Sequence, residues 1–314
     1  MKVVHDFGRE CQDGVNTYLD LEDYADQDAN NVLMYGVTPT CERLDLHEQF
    51  KGYRKTLLNL WDPCSFYDRK DACGQDYFGM ISHFDDVYTI CPFTAKWVNE
   101  KLGTKKNYYT FYPINPKYIP EPQTKIHDVC YFGGVHDPEH KQCIDIISKF
   151  DYRFISQGNH PKVTNFNISN LEKLKIVAQS KITVCYNILY LKPHQIPMAM
   201  SWDGWQNNQA LERLPKEHLL PQFKSRVNEA ALTRTLILCK RDPWNLIEDF
   251  YKPGEDFIYF NDNSELEGVI REVLEDYKDY EKMLDNAYNK ALNYTSENLV
   301  KMIGEKNEML SLRV

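Results

Sequence analysis

The residues best equipped for chemistry fall in the stretch 221–260, PQFKSRVNEAALTRTLILCKRDPWNLIEDFYKPGEDFIYF. Ser225 is suited to cap a short helix whose inner face is Val227, Ala230 and Ala231. Lys224 and Arg226 then sit where backbone N–H groups point outward and the helix dipole is positive, so the helix itself gains nothing from them. Cations and free amides together suit an anion such as a phosphate. Glu229, one turn further on, is placed to accept hydrogen bonds from ribose hydroxyls.

Other residues fit the same chemistry. Gly133 and Gly134 follow an apolar run, Asp128–Phe132, and would let a backbone approach a diphosphate closely. Asn187 ends the run that starts at Ile182, and Glu255 follows a Pro-Gly turn. Asp6, Asp62, His83 and His136 are candidate proton acceptors. Asp6 and Asp62 each follow a strand-like run, where turn and cap roles are the ordinary alternative.

These positions need a scaffold that gathers them. Helix passing straight into strand, as at 225–239, is the rhythm of a parallel α/β sheet. Strands are expected from Lys2 into a loop at Gly8, then over Asn31–Gly36, Lys55–Trp61, Asp86–Cys91 and Asn107–Tyr112. A helix over Ala95–Leu102 stops at Gly103. Residues 113–126 carry four Pro and read as a linker between domains. Beyond it the pattern predicts strands at 128–132, 152–155, 182–187 and 235–239, and helices at 141–150 and 171–180. Residues 188–220, with Trp202 and Trp205, form a long connection. Ser264 and Glu267 have capping-box spacing before Leu266, Ile270, Val273 and Tyr277. A helix over about 279–293 follows, and Thr295 or Ser296 caps a last one.

A chain of 314 residues suits two domains. A net charge of −9 argues against non-specific binding along duplex nucleic acid. Residues 1–30 lack a signal-peptide core, and no apolar run is long enough to span a membrane. Nine scattered Cys show no C-x-x-C spacing, and Cys64 with Cys73 is a poor zinc pair; Cys130, Cys185 and Cys239, in strand-like runs, read as buried thiols, and free thiols fit a reducing cytoplasm.

Three pieces together carry a resemblance: Ser225-Arg226-Val227-Asn228-Glu229-Ala230, Phe250-Tyr251-Lys252-Pro253-Gly254-Glu255, and Ser264-Glu265-Leu266. Their order resembles the C-terminal signature of group 1 (GT-B) glycosyltransferases, in particular the spore-maturation-type branch, over about residues 126–300. Asn228 departs from the usual aromatic, Arg234 from a common Gly, and Pro221 from an acid found in a related family. The resemblance implies two Rossmann-like α/β domains facing a cleft. Residues 1–120 would form the acceptor domain, with helix 295–314 crossing back to it, and 126–294 the nucleotide-sugar domain. It implies transfer of a sugar from a nucleoside-diphosphate donor, a UDP-sugar, to an acceptor hydroxyl. Gly133, Gly134, Asn187, Lys224, Ser225, Arg226, Glu229 and Glu255 would hold the donor. Asp6, Asp62 or His136 would serve catalysis. No cofactor is expected, because cations can hold the diphosphate without a metal.

The acceptor is left open by the resemblance: a glycan or lipid-linked sugar is one expectation, a hydroxymethylated base of phage DNA the other. The Lys-, Asn-, Tyr- and Asp-rich composition suits a viral member acting in a host cytoplasm. A DNA acceptor would need base flipping, with Trp202 or Trp205 filling the gap. It would also need Lys51, Arg54, Lys55, Lys101, Lys105 and Lys106 to line one face. The alternatives are a non-catalytic nucleotide-sugar-binding module and a nucleotide-sugar epimerase of similar build.

Overall fold

The computed structural model describes residues 1–5, 20–26, 28–35, 48–60, 81–135, 138–191 and 219–311. Two parallel sheets organise them. The first has five strands in the order β1-β2-β3-β4-β5: Lys2–His5, Asn31–Tyr35, Arg54–Asn59, Asp86–Thr89 and Asn107–Tyr109. Val32, Leu33, Met34 and Tyr35 are all buried. A parallel sheet covered on both faces selects such continuous apolar runs. Helix α1, Pro92–Leu102, starts on Pro92 after the N-cap Cys91, and ends at Gly103 in the left-handed region at φ 61°.

The second sheet has six strands. They are β6 (His127–Phe132), β7 (Tyr152–Ser156), β8 (Asn165–Phe166), β9 (Ser180–Cys185), β12 (Leu236–Lys240) and β13 (Ile258–Phe260). Their order is β13-β12-β9-β6-β7-β8. Counted within the sheet this is 3-2-1-4-5-6, the order of a doubly wound nucleotide-binding fold. The chain reverses direction across the sheet between β6 and β9, and ligands of such sheets bind beyond the carboxyl ends near that point. Helices α2 (Pro138–Ile147), α3 (Asn170–Ala178), α4 (Ser225–Leu232), α5 (Asn263–Glu275) and α6 (Glu281–Ala291) accompany these strands. The two sheets are the two Rossmann-like domains, facing a cleft.

Three features join the lobes. The first is a two-stranded antiparallel ribbon, β10 (Ile188–Tyr190) with β11 (Leu219–Pro221). Leu189 and its cross-strand partner Leu220 pack into the core of the first lobe, beside Trp97. Tyr190 and its partner Leu219 pack into the core of the second. The second feature is helix α7, Ser296–Ser311. The Ser296 N–H donates to Ile114 O at 3.1 Å, and Leu299 and Ile303 lie in one buried cluster with Met1, Leu21 and Tyr88. The third is Asn228, whose Nδ2 donates to Tyr112 O at 2.7 Å while its Oδ1 accepts from Tyr251 OH at 2.7 Å. A polar side chain at this departure from the signature thus ties α4 to the chain leaving the first lobe.

Several boundaries differ from the sequence reading. The segment after 188 contributes the ribbon strands β10 and β11, and β8 and β13 were not expected. Strand β5 stops at Tyr109, although Thr110 N still bonds Thr89 O at 2.9 Å. Helix α5 is capped by Asp262, which accepts from Ser264 N, rather than by Ser264. Arg54 and Lys55 open β3, Lys105 and Lys106 precede β5, and Lys101 lies in the last turn of α1. These residues lie at the amino end of the first sheet, opposite the cleft. Arg54 is already paired with Asp86, and Lys106 bonds the carbonyls of Ile81 and Phe84.

Candidate active site

Strand β6 runs out into Gly133 at the carboxyl edge of the second sheet. Gly133 has φ 122°, a conformation that only glycine adopts without strain. Its amide donates to Ile155 O at 3.0 Å, and the Tyr131 hydroxyl donates to Gly134 O at 3.1 Å. The turn is therefore fixed on both sides. Its missing side chain is also needed: a Cβ there would fall 2.3 Å from Arg226 Nη2.

Arg226 comes from the first turn of α4. The cap position is Lys224, not Ser225, and no side chain caps the helix. The start of α4 is held from below instead. Asn187 Oδ1 accepts from Lys224 N at 3.1 Å, Asn187 O accepts from Gln222 N at 2.9 Å, and Phe223 N donates to Ile90 O at 3.1 Å. This geometry brings Ser225 and the Arg226 side chain to the pocket beside the glycine turn. The guanidinium lies 4.9 Å from the Tyr131 ring and 5.9 Å from the Phe132 ring. Its Nη1 is enclosed and has no hydrogen-bond partner.

Gly133, Gly134, Ser225 and Arg226 together line a pocket of about 640 Å³. Its far wall is the loop after β7, Gln157-Gly158-Asn159-His160, with Asn167 and Asn170 beside it. The loop is braced by Gly158 N donating to Ser156 Oγ at 3.0 Å. Lys173 of α3 closes one side. Amides, an imidazole and aromatic walls suit a flat heterocycle, and the Arg226 end suits its phosphates. Sequence reasoning missed the β7 loop and Lys173. The Gly-Asn turn directly after a strand carried a signal for the loop; a single Lys on an amphipathic helix carried none.

Glu229 is 1 % exposed and bonds Lys173 Nζ through Oε1 at 3.0 Å, while its Oε2 is enclosed without a partner. Two thiols lie nearby. Burial pushes Cys130 and Cys185 up to about 12, so both stay neutral beside the Arg226 and Glu229 charges.

Two expected ligand residues lie elsewhere. Asn187 is fully buried and supports α4 from beneath, with Nδ2 against Cys239 Sγ at 3.7 Å. Glu255 is an exposed turn acid, 3.5 Å from Lys252, its carbonyl bonded by Asn286 of α6. A Pro-Gly turn that hydrogen-bonds to α6 carries it away from the pocket. Lys224 is partly buried and is not among the pocket-lining residues. Asp6, Asp62, His136, Trp202 and Trp205 lie outside the described residues.

Two parallel-sheet α/β domains, the second doubly wound with a pocket at its carboxyl edge, fit the GT-B class. The chain belongs to the glycosyl transferase-like family, whose model matches residues 144–303, about half of the chain. Solved structures share the fold. HepE of Anabaena, solved with UDP and glucose, superposes with a TM-score of 0.56 at 11% identity, over 88% of this chain and 78% of its own. The sucrose-phosphate synthase of Thermosynechococcus elongatus gives 0.54 at 11% identity, over 93% and 76%. A DNA-modifying β-glucosyltransferase, solved with and without uridine diphosphoglucose, gives 0.50 at 13% identity, over 94% and 86%. A search of curated protein sequences found no match. Among the described residues no helix is long and apolar enough to cross a membrane.

Proposed function

We propose that this glycosyltransferase moves a sugar from a nucleoside diphosphate, UDP, to an acceptor hydroxyl. The observation that carries the reading is the Arg226 guanidinium, enclosed and unpartnered at Nη1, set against the Gly133 turn on a nucleotide-sized pocket. The bond from the sugar's anomeric carbon to the diphosphate breaks, and the bond to the acceptor oxygen forms. The leaving diphosphate takes the electron pair, and Arg226 with the first α4 amides stabilises that charge. The acceptor's proton passes to a base, for which Asp6, Asp62 and His136 are the candidates. Glu229 accepts from the ribose. Positive charge and amides suffice to hold the diphosphate, so the reaction runs without a metal.

A glycan is the favoured acceptor, because the basic residues proposed for a DNA face lie at the far end of the first sheet. The fold shared with a DNA-modifying glucosyltransferase supports the second reading, a hydroxymethylated base. Five described cysteines, Cys91, Cys130, Cys143, Cys185 and Cys239, are buried and outside any disulfide, which supports a reducing, cytoplasmic setting. Calorimetric titration with UDP, GDP, ADP and CMP, followed by transfer assays with the matching labelled sugar nucleotide, tests the reading. UDP binding with sugar transfer is expected. Binding without transfer or hydrolysis would support a non-catalytic module, and absence of any nucleotide binding would overturn both.

A further inference from the structure

Lys173 and Glu229 form a pair with an unusual imbalance. One carboxylate oxygen bonds the ammonium at 3.0 Å, and the other is enclosed with no partner. A buried ion pair that serves only stability satisfies its remaining lone pairs with further hydrogen bonds, because an unmet buried acceptor is costly. The position of the pair explains the imbalance. Lys173 lines the pocket, whereas Glu229, one residue-layer deeper, does not. The ammonium thus stands between the pocket and the carboxylate. The ammonium also lies over the Phe132 ring, 5.4 Å from its centroid, on the pocket wall. A compact charge on a flexible stem can move aside without disturbing either helix.

We propose that Lys173 gates Glu229 and thereby sets how strongly the site discriminates ribose hydroxyls. This rests on the nucleotide reading given above. Ligand hydroxyls reach Glu229 only when the Lys173 pair opens, and the cost of opening offsets much of what the new hydrogen bonds contribute. Wild-type protein should therefore discriminate weakly between UDP and its 2′-deoxy and 3′-deoxy forms. Without Lys173, the carboxylate has no competing partner, and the same hydroxyls should count in full.

The test is the ratio of deoxy-UDP to UDP dissociation constants, measured by calorimetry in wild type, Lys173→Met and Lys173→Met/Glu229→Gln. The ratio should be a few-fold in wild type and rise to about tenfold or more for at least one deoxy form in Lys173→Met, the scale of a hydrogen bond to a charged acceptor. It should fall back in the double variant, where the charge is gone. An equal or smaller ratio in Lys173→Met overturns the gate, because a merely structural lysine would weaken UDP and deoxy-UDP alike. If Lys173→Met does not fold, Lys173→Gln, which keeps length and polarity without charge, gives the same comparison. Failure of wild type to bind UDP at all would fall on the nucleotide reading instead.

Discussion

Arg226 Nη2 occupies the space that a side chain at position 133 would fill, 2.3 Å from an ideal Cβ. A residue of α4 and a residue after β6, 93 positions apart in the sequence, thus fit as one object. Gly133→Ala should displace the guanidinium and strain a backbone at φ 122°. We expect a loss of about 1–3 kcal/mol in stability and at least a tenfold loss in UDP affinity. Chemical denaturation and calorimetry read the two separately.

Arg226→Ala should weaken UDP by about 10- to 100-fold, the worth of a desolvated charge-assisted contact. Uridine should lose far less, since it lacks the diphosphate. Arg226→Lys should recover part of the affinity, as a point charge without the planar fork. An equal loss for UDP and uridine would place the guanidinium away from the phosphates.

Asn228→Leu should destabilise the fold by about 2–4 kcal/mol, because it strands the Tyr112 carbonyl and the Tyr251 hydroxyl in the interior. Denaturant midpoints measure this. A shift below about 0.5 kcal/mol would mean that water replaces the amide.

Lys125 offers a test by pH. Its Nζ donates to Ala178 O at 2.8 Å and reaches Thr233 O and Thr235 Oγ1 at 3.4 Å, all neutral acceptors. Burial lowers it to about 7, with Arg234 adding to the effect. Between that value and the ordinary 10.5, the unfolded chain binds the extra proton. Stability therefore rises with pH across this window, and below it the charged amine costs its full penalty. Lys125→Met should flatten the rise, a difference on the order of 1–3 kcal/mol. Parallel pH–stability curves for the two proteins would refute the assignment.

Chelation should leave sugar transfer unchanged. We expect equal rates in EDTA and in added Mg²⁺ or Mn²⁺, measured on the same enzyme preparation. Loss of activity in EDTA, restored by one cation, would show that Arg226 and the α4 amides do not suffice.

The sequence showed the order of the long elements, because five- and six-residue apolar runs such as those of β2, β9 and β12 carry a clear burial signal. It hid β8, β10, β11 and β13, where two or three residues give no periodicity to read. The start of α4 shifted by one residue for a tertiary reason: Asn187, 37 positions away, holds the Lys224 amide and makes Lys224 the cap. The resemblance implied donor-binding roles for both Glu229 and Glu255. One faces solvent on a turn tied to α6, and the other is sealed under Lys173. Single-residue patterns do not report which side of a helix meets a pocket, and Lys173 was invisible for that reason.

The β10–β11 ribbon has no outer surface of the usual kind. One row of its side chains, Leu189 and Leu220, completes the interior of one lobe, and the alternate row, Tyr190 and Leu219, completes the interior of the other. A partition shared by two rooms cannot be removed from one without opening the other. The lobes are thereby bound into one cooperative unit, and any motion of one lobe against the other must slide along this partition rather than swing free of it.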